Sequence, residues 1–246
     1  MGSHNRKSIT KNEDALFLSE VNGFCPKCGK PLIKKTSKSY IKQYEIAHIY
    51  PCNPTSKDLD ILKSVAPPIN TEAFENKIAL CFDCHNEYDE AKRTERYFEL
   101  CEIKSKLLNK RFITERGYYY PLEDEISVIL SKLSNITDAE IGSLKLNMKA
   151  LKIKDKLEED YRLLRAEIEG NVTKYFALIQ KMLKARGTER FELIALQVRS
   201  FYIACTTQCS DKTLIFDEIT KWISIKSKVS NKRACAIIAA FFVQNC

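Results

Sequence analysis

Residues 75–89, ENKIALCFDCHNEYD, place Cys81-Phe-Asp-Cys84 directly before His85, and their reading depends on a second pair upstream, Cys25-Pro-Lys-Cys28 in FCPKCGKPL. A C-x-x-C spacing lets both thiolates of a knuckle reach one tetrahedral ion from a single turn, so two such pairs predict a four-cysteine zinc site with no open coordination position, structural and not catalytic. Pro26 and Gly29 are the residues that shape the turn.

Working outward, Tyr40–Ile49 (YIKQYEIAHI) carries the aromatic and β-branched content of a strand. Residues 51–71, PCNPTSKDLDILKSVAPPINT, hold four prolines and predict a loop or short-helix insertion, whereas 84–108 predict one long charged helix. The chain has three histidines, and two of them, His48 and His85, lie between or immediately after the cysteine pairs. His4 lies in a polar N-terminal tail.

The ordered set Cys25-x-x-Cys28, Ala47-His48-Ile49-Tyr50-Pro51, then Asn76 and Cys81-x-x-Cys84-His85 resembles the HNH endonucleases in their four-cysteine zinc form, over roughly residues 20–110. The resemblance implies an α+β, ββα-metal module with structural zinc held by Cys25, Cys28, Cys81 and Cys84, and metal-dependent hydrolysis of DNA phosphodiester bonds. It implies His48 as general base, Asn76 as the amide that holds the histidine strand, and His85 as a ligand of a catalytic divalent cation, Mg2+ or Mn2+.

The commonest pattern places a second metal ligand immediately before the base, where this chain has Ala47. Two carboxylates are the candidates to replace it: Asp89, on the face of His85 at i+4 of one helix, and Glu45, on the strand face of Ala47.

The formal net charge is +8. It is spread evenly along the chain, so by itself it says little about nucleic acid. One strip departs from the average: six lysines and no acid between Cys25 and Tyr44, of which Lys34, Lys35, Lys38 and Lys42 are the candidate DNA-phosphate contacts. No base-reading motif accompanies them, so double-stranded DNA is expected to be bound with low sequence specificity.

No apolar run has the length of a signal-peptide core or of a bilayer span, so a cytoplasmic protein without membrane contact is expected. A reducing compartment turns the ten cysteines away from disulfides and toward metal. The i, i+4 pair Cys205 and Cys209 on an apolar stretch is expected to be core packing.

After Gly117 the pattern becomes all-helical, and we divide the chain into a 1–116 module and a 117–246 helical domain. Thr137 with Glu140 is a capping box predicting a helix to about Leu157, followed by runs at Glu158–Arg186, Thr188–Thr207, Asp211–Ile225 and Ser230–Asn245. The last is apolar on nearly every face and must be buried, within this domain or against a partner.

Asn171-Val-Thr-Lys-Tyr175-Phe176, Ile215-Phe216-Asp217 with Trp222-Ile223, and Ala239-Ala-Phe-Phe-Val-Gln-Asn-Cys246 resemble the C-terminal domain of effectors of ABC three-component, Lamassu-like antiphage systems. That resemblance implies partners: an SMC-like ABC ATPase subunit and a small accessory subunit. Outside it stand three other readings: a non-cleaving zinc-ribbon DNA-binding protein, an assembly adaptor, and a restriction or mobile-element HNH nuclease.

Overall fold

The computed structural model of the protein describes residues 7–90, 93–146, 157–185 and 187–245. Their contacts divide the chain into two compact units, Met1–Arg111 and Phe112–Cys246. Among the described residues no helix is long and apolar enough to cross a membrane.

The first unit begins with α1 (Lys11–Glu20), opened by a capping box in which Thr10 and Glu13 satisfy each other's backbone N–H groups. Two short antiparallel pairs follow. β1 (Ile33–Lys35) pairs with β2 (Tyr40–Lys42), and β3 (Tyr44–His48) pairs with β4 (Lys77–Cys81) in a register that sets Tyr44 opposite Cys81 and His48 opposite Lys77.

Between β3 and β4 lies the proline-rich insertion with α2 (Ser56–Ile61), capped by Thr55, and a 3-10 turn at Phe74–Asn76. α3 (Phe82–Glu90) starts at the residue after β4, and buries Cys84, His85 and Tyr88. β4 is buried along its whole length, as its run Lys-Ile-Ala-Leu-Cys requires.

α4 (Thr94–Tyr119) contributes its first part to this unit, where Leu100 joins Phe17, Leu32, Ile46, Ile78 and Leu80 in the core. Lys104 enters the same interior, with its ammonium 2.6 and 2.8 Å from the carboxylate oxygens of Glu20 and 3.8 Å from the Phe74 ring centroid. Burial pushes the Lys104 ammonium down and the Glu20 carboxyl up, each against the pull of the other's charge.

The second unit takes the end of α4, then α5 (Glu125–Ser134), α6 (Asp138–Ser143), α7 (Arg162–Lys184), α8 (Thr188–Thr206), α9 (Lys212–Ser227) and α10 (Lys232–Asn245). α10 packs on α7 and α9, burying Ile238, Ala239, Ala240, Phe241 and Phe242, so this domain itself covers the helix that is apolar all round. Cys205 and Cys209 are buried in the same core, as their spacing on an apolar stretch led us to expect.

Gly117 is fixed by contact: a Cβ there would meet Trp222 at 3.1 Å and Phe201 at 3.3 Å, rings that pack on each other at a tilt of 42° with centroids 4.6 Å apart. The Thr114 hydroxyl donates to the buried Glu218 carboxylate at 2.9 Å one turn earlier on α4.

Several elements differ from expectation. The helix predicted over 84–108 is two, α3 and α4, with Arg93 outside both and residues 91 and 92 outside the described residues; between Tyr88 and Tyr97 the sequence has only one apolar residue, Ala91, to continue a buried face. Tyr40–Ile49 is two strands separated at Gln43, whose backbone N–H turns to the Leu32 carbonyl.

The Thr137 capping box is present, but its helix ends at Ser143, one residue past Gly142, a weak helix former. Residues 147–156 of that predicted helix lie outside the described residues. The run predicted from Glu158 starts with a 3-10 turn and becomes α-helical at Arg162. α1 and α5 have no counterpart in the sequence reading.

Candidate functional site

Cys25 and Cys28 sit on a tight knuckle. The Cys25 N–H donates to the Lys30 carbonyl and the Gly29 N–H to the Cys25 carbonyl, both at 2.8 Å. Gly29 has φ +76°, in the left-handed region that costs glycine nothing, and this folds the loop back so that Phe24 bridges Pro31.

Cys81 closes β4 and Cys84 lies in the first turn of α3, so the strand-to-helix junction aims both at the knuckle. The four Sγ atoms lie within 4.8 Å of one another, with Cys28 and Cys81 at 3.6 Å. Four convergent thiols, three of them buried, fit one tetrahedral ion such as structural zinc. Lys27 and Lys30 beside them pair with Glu87 and Asp83 of α3, which adds two exposed ties across the cluster.

His48 is the last residue of β3, and its side chain is about one-tenth exposed. Its Nε2 lies 3.0 Å from Glu72 Oε1, while Glu72 Oε2 accepts from the Lys77 ammonium at 2.7 Å. Burial alone would raise Glu72, but the hydrogen bonds from Lys77 and Cys52 and the positive charge of Lys77 hold its carboxyl down at about 2. Glu72 is therefore an acceptor-only carboxylate at neutral pH, and His48 carries its proton on Nε2.

Asn76 stands behind this strand end. Its Oδ1 accepts from the Tyr50 N–H at 2.8 Å, and its Nδ2 donates to the carbonyls of Tyr50 at 2.9 Å and Thr71 at 2.8 Å. The Asn76 carbonyl also accepts from the Ile49 N–H. One buried residue thus satisfies backbone groups immediately after His48 and immediately before Glu72.

His85, on α3, has Nε2 at 3.5 Å from a Glu45 carboxylate oxygen and Nδ1 at 3.5 Å from one of Asp89. Both carboxylates are about half exposed, and the i, i+4 spacing puts Asp89 over the histidine as expected of one helix face. Tyr88, next to them, donates its hydroxyl to the Ile49 carbonyl at 2.6 Å and fixes α3 against the end of β3.

The two histidines open on one cleft of about 390 Å3, with Asp89 and Glu90 on the α3 side. Pro51, Cys52, Asn53, Thr55, Lys57, Asp58 and Ile61 line it from the insertion. Ala47 is 1% exposed and offers no ligand atom, so a cation on His85 would draw its next protein donor from Asp89 on the Nδ1 side or from Glu45 on the Nε2 side.

Glu45 touches His85 but does not line that cleft, and neither does Asn76. Of the lysine strip, Lys34 and Lys35 stand on β1 and Lys38 on the turn to β2; among the described residues these three side chains have no ion-pair partner. Lys42, on β2, is already engaged by Asp14 and lies over the Tyr44 ring.

Glu72 and Cys52 are the site residues that the sequence reading missed. No spacing rule links position 72 to position 48. The register that pairs His48 with Lys77, and the asparagine turn at Asn70 that receives the Glu72 N–H, create the contact in three dimensions.

Residues 117–246 match a family described as C-terminal domain 11 of the ABC-three component (ABC-3C) systems. No curated protein and no solved structure matches the chain.

Proposed function

The chain belongs to the family of C-terminal domain 11 of the ABC-three component systems, and from that premise we propose that residues preceding this domain are an HNH-type, ββα-metal DNA endonuclease. In this reading the protein is the nuclease effector of a multi-subunit antiphage complex, and the helical domain docks it to an SMC-like ABC ATPase and a small accessory subunit.

The observation that carries the nuclease reading is the shared cleft: His48 from a strand end and His85 from the following helix face the same space, with Asp89 beside His85. The Glu72 carboxylate holds the Nε2 proton of His48, so Nδ1 is the nitrogen that takes a proton from the attacking water. Asn76 keeps that imidazole in position by fixing the backbone that follows it.

The water oxygen attacks phosphorus on the side opposite the departing 3′ oxygen, whose bond to phosphorus breaks as the 5′ phosphate is released. His85, with Asp89 and Glu45, would hold a Mg2+ or Mn2+ ion, which when bound supplies Lewis-acid stabilisation of the phosphate charge and of the leaving oxygen. Lys34, Lys35 and Lys38 give the DNA backbone a sequence-independent anchor.

The test is nicking of supercoiled plasmid with Mg2+ or Mn2+ by the isolated chain and by the chain bound to its ATPase partner. We expect His48→Ala to lower the rate by about 100-fold or more. Absence of cutting in both settings, or cutting indifferent to His48→Ala, sinks the nuclease reading.

The buried Ala47 in place of a ligand favours a second reading, a non-cleaving zinc-ribbon DNA-binding or adaptor protein. In that case the module binds duplex DNA, or the partner complex alone, without cutting.

A further inference from the structure

His48 has a second potential use that its place beside the cleft allows. Its imidazole, the Cys52 thiol and the Glu72 carboxylate each offer one ligand atom within 4.8 Å of the others, on three largely buried residues from separate segments of the insertion and its flanks. The group is remote in type from the four-cysteine cluster, having one nitrogen, one sulfur and one oxygen donor.

We propose that His48, Cys52 and Glu72 form a second zinc-class cation site whose occupancy switches off the general base. The regulatory half of this proposal rests on the nuclease reading of His48; the existence of the site does not.

A thiolate with an imidazole and a single carboxylate oxygen selects Zn2+ or Co2+ over Mg2+, which takes oxygen donors in octahedral array. The carboxylates around His85 suit the harder ion, so the two metals are sorted by donor chemistry a short way apart.

Glu72 is already prepared for monodentate ligation. Oε1 faces His48 at 3.0 Å, and Oε2 is retained by the buried Lys77 ammonium, the outer contact that orients a ligating carboxylate. His48 and Cys52 both line the cleft, so the fourth coordination position opens to water there.

Binding proceeds with a defined proton balance. Cys52 loses its thiol proton to solvent as the sulfur–metal bond forms, and no oxidation is involved. The ion takes the Nε2 lone pair of His48, so the ring proton that Glu72 held moves to Nδ1. Nδ1 then has no lone pair for the proton of a water molecule, and the base is disabled by tautomer rather than by displacement.

The experiment is zinc titration of the metal-free full chain, with bound zinc counted by mass spectrometry of the elements and histidine side chains followed by nitrogen-15 NMR. We expect two equivalents, the second shifting His48 Nε2 into the metal-bound range, and its loss in both Cys52→Ser and Glu72→Gln while the first equivalent remains.

A single equivalent in the wild type, a second one that survives both substitutions, or a second one that shifts His85 instead overturns the site. In the plasmid assay the second equivalent should slow Mg2+-dependent nicking by about 100-fold, the scale of losing a general base. Unchanged nicking at full occupancy of the site overturns the switch. A protein that binds the second zinc but never cuts DNA refutes the nuclease reading and leaves the metal site standing.

Discussion

The side-chain amide of Asn76 grips the Tyr50 peptide groups at both polar ends, accepting from the Tyr50 N–H at 2.8 Å and donating to the Tyr50 carbonyl at 2.9 Å. A buried amide that matches backbone donor and acceptor in this way acts as a missing strand would, and it does so two residues beyond His48.

Asn76→Ala leaves those two Tyr50 groups and the Thr71 carbonyl without their partner in a buried setting. We expect a loss of about 2–4 kcal/mol in urea denaturation and faster amide exchange at Tyr50. A change under about 0.5 kcal/mol, the range of ordinary surface substitutions, would show that water replaces the amide without cost.

Lys104 and Glu20 form an ion pair with side chains 2% and 1% exposed. Removing one charge strands the other in the core, so Lys104→Met should destabilise the first unit by about 3–5 kcal/mol, and the double replacement Glu20→Leu with Lys104→Met should recover most of that loss. Denaturant titration of the three variants decides it; equal damage from single and double replacements would mean that shape, not charge, is at stake.

Asp89 and Glu45 stand at equal distances from His85 but on opposite ring nitrogens, Nδ1 and Nε2, and only Asp89 lines the cleft. Asp89→Asn should therefore weaken Mn2+ binding by at least about tenfold, and Glu45→Gln by less. Electron paramagnetic resonance of bound Mn2+ reads this without reference to cleavage, and the opposite ranking would move the second ligand to the strand.

Among the described residues Lys34, Lys35 and Lys38 have no ion-pair partner, whereas the Lys42 charge is balanced by Asp14. If the strip contacts phosphates, replacing the first three by alanine should flatten the plot of log Kd against log salt for duplex DNA by about 0.9 per lysine, and Lys42→Ala should do so by less. An unchanged slope in the triple variant removes the strip from the DNA-contacting surface.

The cysteine pairs, His48, Asn76 and His85 were legible because each belongs to a local spacing or an ordered pattern that survives as linear text. The apolar last helix was legible for a simpler reason: Ala234 to Phe242 has no polar face to offer water, and α7 and α9 pack over it.

Glu72 was not legible, since its bond to His48 depends on how a proline-rich insertion returns to β4, and insertions carry no periodicity. The division between α3 and α4 hid for a related reason. Charged residues with good helix propensity run through 87–96, so propensity reads as continuous where buried contacts stop. α1 was written in its Thr10–Glu13 capping box, a signal easily lost in a polar N-terminal stretch.

The two walls of the cleft differ in what holds them. α3 is bound to the thiol cluster, to β4 and through Tyr88 to β3, whereas α2 has no buried residue and is anchored at its end by Leu62 and by the Thr94 hydroxyl on the Ile61 carbonyl. Residues 53–61 lie outside the strands and the four-cysteine cluster, and extra loop length there adds only about 0.6 kcal/mol per doubling. Descendants of this chain can thus exchange the outer wall, and with it what the cleft admits, while inheriting the inner one unchanged.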